Sequence, residues 1–129
     1  MTERELIQAA IKGQANAVVP YSGFAVGAAL LTKGGRLYIG CNIENGAYSP
    51  SLCAERTAFA NAISAGEREF AAIAVIGDGT DYCYPCGVCR QVMAEFCGND
   101  FRIIAAKNEG DFVSMSLGEL LPHAFRFGK

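Results

Sequence analysis

Apolar residues near the start of the chain recur with the period of a helix. Thr2 and Glu5 have the spacing of a capping box, in which a threonine hydroxyl and a glutamate carboxylate satisfy backbone donors at a helix start. The apolar positions that follow this period are Leu6, Ile7, Ala10, Ile11 and Val18. The pattern predicts an amphipathic helix that begins after Thr2 and continues until Pro20 stops it.

Short apolar segments alternate with helical ones in the rest of the chain. Strands are predicted at 24–32 and 37–41, on either side of the glycine-containing turn 33–36, and at 70–77, 102–107 and 112–114. Further helices are predicted at 52–65, 85–96 and 117–121. Segment 70–77 is apolar throughout, which is typical of a buried central strand. Because strands and helices alternate in the second half, some strands should pair in parallel, and we expect an α/β sandwich with a mixed sheet of about five strands.

Length and charge narrow the class of protein. A chain of 129 residues predicts a single domain over 1–129, and 51% hydrophobic residues with 19% charged ones are typical of a globular protein. Apolar runs are far shorter than the roughly 20 residues of a membrane span, and the N-terminus lacks a secretory pattern, so we expect a cytoplasmic protein without a membrane partner. The 11 basic residues are scattered among 13 acidic ones, which argues against a nucleic-acid partner and leaves small molecules open.

Six cysteines are many for a chain of this length, and we expect them to be reduced. Cys41 and Cys97 are interpreted as small buried hydrophobic residues. Cys83, Cys86 and Cys89 are grouped too closely for that interpretation, and the group indicates a binding site.

Cysteines occur at two predicted loop-to-helix junctions, Cys53 at one and Cys86 with Cys89 at the other. Unpaired N–H groups and the helix dipole stabilise thiolates in a first helical turn. Two helices starting side by side could direct three sulfurs at one zinc ion and leave the fourth position open, which is typical of a catalytic site. The single histidine, His123, is remote in sequence, and a capping or surface role is favoured for it. Cys83 forms a second Cys-x-x-Cys with Cys86, so the spacing alone permits a shifted ligand set.

Two charged residues follow Cys53 closely. Glu55 could take a proton from zinc-bound water and return it to the substrate, although a glutamate in a first turn more commonly interacts with the helix dipole. Zinc with three thiolates carries a net charge of about −1. Arg56 could donate to the ligating sulfurs and bring the cluster near neutrality, the alternative being a solvated surface arginine.

The two junctions resemble the signature of zinc-dependent deaminases, in which Cys-Ala-Glu is followed by Pro-Cys-x-x-Cys. Asn-Ile-Glu-Asn-Gly-Ala-Tyr at 42–48, Gly-Phe-Ala-Val-Gly at 23–27 and Cys-Arg-Gln-Val at 89–92 resemble the small homotetrameric cytidine deaminases. The resemblance covers essentially the whole chain. It implies a three-layer α/β/α sandwich, one zinc per subunit, hydrolysis of cytidine and 2′-deoxycytidine to the uridine product and ammonia, and a role in pyrimidine salvage.

The resemblance also implies a nucleoside pocket. Asn42 and Glu44 would bind the ribose 3′-hydroxyl, and Phe24 would stack on the pyrimidine, although residue type alone favours a core position for Phe24. The Ala54 N–H would bind the 2-oxo group, and the Cys86 carbonyl would accept from the amine.

Two further residues are implied to act between subunits. Tyr48 and Phe125 resemble residues that reach the site of a neighbouring subunit, so each pocket would need the homotetramer.

Other interpretations remain open. The same chemistry could act on another aminopyrimidine, such as a blasticidin-like antibiotic or a free base. A nucleic-acid-editing deaminase is disfavoured because the chain has no basic stripe. A structural zinc module would need Cys83 or His123 as a fourth ligand. A redox protein built on Cys83 and Cys86 would leave Cys53, Cys89 and Glu55 without a role.

Overall fold

Residues 1–128, which the computed structural model describes, form four helices and five strands. In chain order these are α1 (Glu3–Gln14), β1 (Gly27–Thr32), β2 (Leu37–Cys41), α2 (Ala54–Ser64), β3 (Phe70–Ile76), α3 (Gly87–Phe96), β4 (Arg102–Asn108), β5 (Asp111–Ser116) and α4 (Leu117–Leu120). Each predicted element is present, with ends that differ from the prediction by up to three residues except in α1.

α1 begins as predicted and ends early. The Glu5 N–H donates to Thr2 Oγ1 over 3.1 Å, and the Thr2 N–H donates to Glu5 Oε1 over 2.8 Å, which completes the capping box. The helix stops at Gln14, so the prediction that it continues to Pro20 is wrong. Val18 instead bonds to the segment after β2: its N–H donates to the Asn42 carbonyl over 3.0 Å. Contacts distant in sequence thus outcompete the local helical pattern.

The five strands form one mixed sheet in the order β2-β1-β3-β4-β5. β3 is the central strand, as its apolar sequence predicted. β3 and β4 are parallel and are joined through α3, whereas the other neighbouring pairs are antiparallel. Two antiparallel pairings in succession make β2 run in the same direction as β3. The segments that follow β2 and β3 therefore leave the sheet at the same edge.

Helices cover both faces of the sheet, which confirms the three-layer α/β/α sandwich. Successive strand residues point to opposite faces, so Ala74 contributes to the core under α1 while Ile73 contributes to the core under α2 and α3. The buried residues under α1 include Leu6, Ile7, Ala10, Ala29 and Ile104. Those on the other face include Leu30, Phe59, Val75, Met93 and Ile103.

α2 lies unusually close to β2 at Gly40. A Cβ atom on Gly40 would lie 2.4 Å from the Ala54 carbonyl oxygen and 2.5 Å from the Ala58 nitrogen. Backbone therefore packs directly on backbone, and this contact fixes the start of α2 against the sheet. No helix formed by residues 1–128 is both long and apolar enough to cross a membrane.

Candidate active site

Three cysteines meet where α2 and α3 begin. Cys53 is the N-cap of α2 and Cys86 is the N-cap of α3, one position before the first turn in which the sequence placed them. Cys89 is the third residue of α3 and is buried. Because β2 and β3 run in the same direction, the loops that follow them bring both helix starts to one edge of the sheet, the usual position of a site in an α/β fold.

The sulfurs have the spacing that a zinc ion requires. The Sγ atoms of Cys53, Cys86 and Cys89 all lie within 4.8 Å of one another, and Cys53 Sγ is 3.7 Å from Cys86 Sγ. Tetrahedral zinc with bonds of 2.3 Å separates two sulfur ligands by about 3.8 Å. Within residues 1–128, neither Cys83 nor His123 belongs to this group, so the structure brings together the predicted ligands and not the shifted set.

The cluster stabilises negative charge on sulfur. A hydrogen bond from Cys89, together with Arg56 and Cys86, lowers the pKa of Cys53 to about 5. The same hydrogen bond and burial raise the pKa of Cys89, so the first thiolate forms on Cys53. The Arg56 guanidinium lies at this thiolate, with Nη2 3.7 Å from Cys53 Sγ and 3.2 Å from the Ser51 carbonyl oxygen. A thiolate-rich group beside a single cation suits a divalent metal ion.

Glu55 is the second residue of α2 and is buried, with 4% of its surface exposed. Burial raises the pKa of Glu55 to about 7, and the charge of Cys53 acts in the same direction. A carboxyl group in that range can both accept and donate a proton near neutral pH. Its place in the first turn of α2 keeps it beside the sulfur cluster.

A cleft of about 320 Å³ opens beside the cluster. It contains every predicted substrate-contacting residue except two, and its lining consists of Ser22, Phe24, Val26, Asn42, Glu44, Cys53, Ala54, Glu55, Cys83, Tyr84 and Cys86. A larger cavity of about 430 Å³ lies beside the starts of β3 and β4, lined by residues such as Lys33, Arg68 and Phe101. None of the candidate site residues borders that second cavity.

Asn42 and Glu44 shape one side of the cleft. Asn42 Oδ1 accepts from the Val26 N–H over 2.9 Å, and its Nδ2 donates to the Phe24 carbonyl over 2.8 Å. The Glu44 carboxylate accepts from the Ser22 hydroxyl and from the N–H groups of Tyr21 and Ser22. These bonds hold segment 21–26 out of the sheet, so β1 begins at Gly27 and not at residue 24. The hydrogen bonds, first among them that of the Ser22 hydroxyl, also lower the pKa of Glu44.

Phe24 lies in the cleft and not in the core. Its side chain is 40% exposed, which corrects the expectation from residue type alone. A Cβ atom on Gly77 would lie 2.7 Å from Phe24 Cζ and 3.3 Å from Cys83 Sγ, so the absence of a side chain at Gly77 makes room for both groups. Burial raises the pKa of the Cys83 thiol to about 12.

Two predicted residues lie away from the cleft. Tyr48 is 78% exposed, with a left-handed backbone φ of 62°, and Phe125 is 69% exposed. Within the described part of the chain, neither borders the cleft. Among the other lining residues, the sequence drew attention only to Cys83, as an alternative zinc ligand, whereas Tyr84, Ser22 and Val26 were not predicted to line a site. Only the position of Tyr84, directly before the Pro-Cys motif, could have drawn attention to it.

Comparison with known proteins identifies the family. Residues 1–105 match the sequence profile described as "Cytidine and deoxycytidylate deaminase zinc-binding region". The chain belongs to this family. Its members are zinc-dependent hydrolases, and in this member Cys53, Cys86 and Cys89 form a cluster fit to hold one zinc ion.

Relatives of this deaminase-family chain match it over three quarters or more of its length. It is 49% identical to a cytidine deaminase from Sporosarcina psychrophila, over 97% of this chain and 92% of the relative. It is 30% identical to a blasticidin-S deaminase from Bacillus cereus, over 75% of this chain and 74% of that protein. A crystal structure of cytidine deaminase from Burkholderia pseudomallei superposes with a TM-score of 0.92 at 48% identity, covering 97% of this chain and 100% of that one.

Proposed function

We propose that the protein catalyses the hydrolytic deamination of cytidine, and of 2′-deoxycytidine, to uridine or 2′-deoxyuridine and ammonia. One observation carries the proposal: a three-thiol metal site and a buried carboxyl group border the same cleft as a pair of polar groups suited to a sugar. The cleft volume, about 320 Å³, is at the lower end of the range for small-molecule sites. The cytidine deaminase relatives, nearly half identical, support the choice of substrate.

The sugar is selected by Asn42 and Glu44. Their contacts with segment 21–26 use one of the two Nδ2–H donors of Asn42 and leave an acceptor position on Glu44 Oε2, counting partners among residues 1–128. A hydroxyl group both donates and accepts, so the ribose 3′-hydroxyl matches this pair. A ligand without it would leave the second Nδ2–H of Asn42 and the remaining acceptor position of Glu44 unpaired in the occupied cleft, which disfavours a free base.

The base is held by the residues beside the metal site. Phe24 offers its ring for stacking, and Gly77 gives the ring its space. The Ala54 N–H belongs to the first turn of α2, where N–H groups have no partner within the helix, and it binds the 2-oxo group. The Cys86 carbonyl already accepts from the Arg90 N–H over 3.0 Å, and its second lone pair accepts from the substrate amine.

Glu55 moves the protons of the reaction. Zinc held by Cys53, Cys86 and Cys89 supplies a Lewis acid that makes water a nucleophile at neutral pH. Glu55 accepts one proton from the attacking water and delivers it to N3 of cytosine as the new C4–O bond forms. It then carries the second proton of the water to the 4-amino group, so that the C4–N bond breaks, the 4-oxo group forms and ammonia leaves. Arg56 holds Cys53 in its thiolate form.

The active protein is a homotetramer with shared sites. Tyr48 and Phe125 expose most of their surface, and the left-handed backbone of Tyr48 directs an aromatic side chain outward from its loop at a conformational cost. Exposed aromatic side chains of this kind commonly serve as contact residues between subunits. In the tetramer they complete the site of a neighbouring subunit. We place the reaction in the cytoplasm, where it returns free cytosine nucleosides to the uridine pool, which is pyrimidine salvage.

The reaction can be tested by ultraviolet absorbance of cytidine incubated with the purified, zinc-loaded protein. We expect the cytidine band to decrease with matching release of ammonia. Glu55→Gln should keep its zinc and lose turnover by at least about 100-fold, because a general acid–base group typically contributes that much or more. Glu69→Gln, at an exposed glutamate, is the matched control and should retain full turnover.

Two outcomes would contradict the proposal. Turnover of blasticidin S without turnover of cytidine would assign the site to another aminopyrimidine. No turnover of either compound by zinc-loaded protein would remove the deaminase function. A Glu55→Gln variant with half the wild-type rate would remove Glu55 from its role while leaving the substrate assignment intact.

A further inference from the structure

Tyr84 borders the cleft from the segment that leads into α3. Phe24, Asn42 and Glu44 border it from the segments that flank β1 and β2. The Tyr84 side chain is 46% exposed, and its hydroxyl makes no hydrogen bond to another residue within 1–128. An aromatic ring with free surface and a free hydroxyl in a substrate cleft has capacity for a ligand contact.

The backbone of Tyr84 is restricted by the residue that follows it and by one that precedes it. Pro85, which follows it, is buried and restricts the backbone of Tyr84 to extended conformations. The Tyr84 N–H donates to the Tyr82 carbonyl over 3.1 Å. These two features restrict the backbone that carries the ring, which reduces the conformational freedom that is lost when a ligand binds.

The ring of Tyr82 contacts the ring of Tyr84, and Tyr82 is itself bound to the β4–β5 hairpin. The two rings meet edge to face, with centroids 6.5 Å apart and an interplanar angle of 69°. The Tyr82 hydroxyl donates to Asp111 Oδ1 over 2.8 Å, and Lys107 Nζ lies 4.7 Å from the centroid of the Tyr82 ring. Tyr82 is therefore attached to β4 and β5 by a hydrogen bond and a cation–π contact.

We propose that Tyr84 contacts the bound nucleoside through its ring, and that Tyr82 is a positioning residue that holds this ring at the cleft. The proposal rests on the proposed function, because it assigns Tyr84 to the same site and substrate. The contact is present when the substrate binds and persists in the transition state, so it acts on binding and not on the chemical step.

Steady-state kinetics of zinc-loaded variants with cytidine test this assignment. Tyr84→Ser should raise KM by about three- to tenfold, the factor expected for the loss of one ring contact, with kcat unchanged within about twofold. The Kd of the product uridine, measured by calorimetry, should rise by the same factor. Tyr84→Phe keeps the ring and should match the wild type. Tyr82→Leu removes the edge contact and should raise KM by a smaller factor.

Zinc content and oligomeric size are measured on every variant. An unchanged KM and uridine Kd in Tyr84→Ser, in a protein that turns over cytidine, would overturn this proposal and leave the proposed function standing. Loss of zinc, a changed oligomer or a fall in kcat in Tyr84→Ser would also overturn it, since a structural role produces those effects. Equal KM values for Tyr84→Phe and Tyr84→Ser, both raised, would overturn the ring contact. A wild-type protein without turnover of cytidine would instead remove the proposed function itself.

Discussion

Neighbouring side chains at the sulfur cluster differ in their acidity. Cys53 receives hydrogen bonds from Cys89 and from Arg56, so it is the thiolate that forms most readily. Glu55 lies two positions after Cys53, in the first turn of α2, and its side chain is buried. Negative charge is thus favoured on sulfur and disfavoured on the neighbouring carboxyl group.

Removal of the most acidic thiol should remove the metal. We expect Cys53→Ala to purify with almost no zinc, against about one ion per chain in the wild type, because two remaining thiolates do not close a zinc site. Elemental analysis of dialysed protein measures this. Cys97→Ala, at a half-buried cysteine outside the cluster, should keep its zinc. A full zinc complement in Cys53→Ala would show that the metal lies elsewhere.

The sequence predicts the cluster better than it predicts the cleft wall. Cys53, Cys86 and Cys89 could be grouped because their positions relative to two helix starts determine where their side chains point. Phe24 could not be placed in the cleft from residue type, because its exposure depends on a hydrogen bond that the Asn42 side chain donates to its carbonyl from 18 positions away. Tyr84 was missed for a similar reason, since its orientation depends on contacts with another loop residue.

The residues at which β2 and α1 end help to position the site. Both ends of β2 were predicted correctly, because a glycine-containing turn precedes the strand and a polar loop follows it. Both of these signals are local in the sequence. α1 was predicted too long because nothing local marks the end at Gln14, whose side chain donates to the carbonyl groups of Ala25 and Gly77 over 3.0 and 2.6 Å. Those bonds join α1 to the segments that hold Phe24 and therefore need the folded chain.

A single methyl group added at Gly40, where α2 packs closely on β2, should destabilise the protein. Gly40→Ala would drive a Cβ atom into the Ala54 carbonyl, so α2 must move away from the sheet. We expect a loss of about 1–3 kcal/mol in the free energy of unfolding, typical of overpacking, and weaker zinc binding because the start of α2 carries Cys53. Denaturant unfolding and competition with a chelator measure the two effects.

The matched control for this substitution is Gly34→Ala in the β1–β2 turn. A Cβ atom there would meet no atom closer than 3.8 Å, and the change should stay within about 0.5 kcal/mol. Equal free energies of unfolding for Gly40→Ala and Gly34→Ala would mean that α2 can move away from β2 without loss of stability. That result would contradict the close packing of α2 on Gly40.

The direction of the strands explains how the whole molecule builds one site. β2 and β3 run in the same direction because each is antiparallel to β1. The loops that follow these two strands therefore place the cysteine-bearing starts of α2 and α3 at one edge of the sheet. The alternation of strands and helices predicted a mixed sheet with some parallel pairing, which is why the fold class could be predicted, whereas the order of the strands came only from the structure. The assembly of subunits could not be predicted in the same way, because the exposed side chains of Tyr48 and Phe125 do not by themselves identify a partner.

The shared sites that we propose predict that two defective subunits can restore activity to one another. Glu55→Gln removes the proton carrier from its own site, and Phe125→Ala removes a contact from a neighbouring one. When both variants are expressed together, some sites combine an intact Glu55 with an intact Phe125, and activity should exceed the sum of the separate variants. Turnover per zinc-loaded site in isolated mixed oligomers measures this. Mixed oligomers with no gain would place Phe125 outside the neighbouring site.

Helix caps differ between the site and the rest of the fold. α1 and α4 each begin with a capping box, formed by Thr2 with Glu5 and by Ser116 with Glu119. Over the described residues of α2 and α3, the side chain of the N-cap residue accepts no hydrogen bond from a backbone N–H of its own helix. Such a bond usually stabilises a helix by about 1 kcal/mol. A zinc ion bound to the two capping thiolates would hold both helix ends instead, so we expect fraying of these ends and loss of the metal to occur as a single local unfolding event, measurable by amide hydrogen exchange.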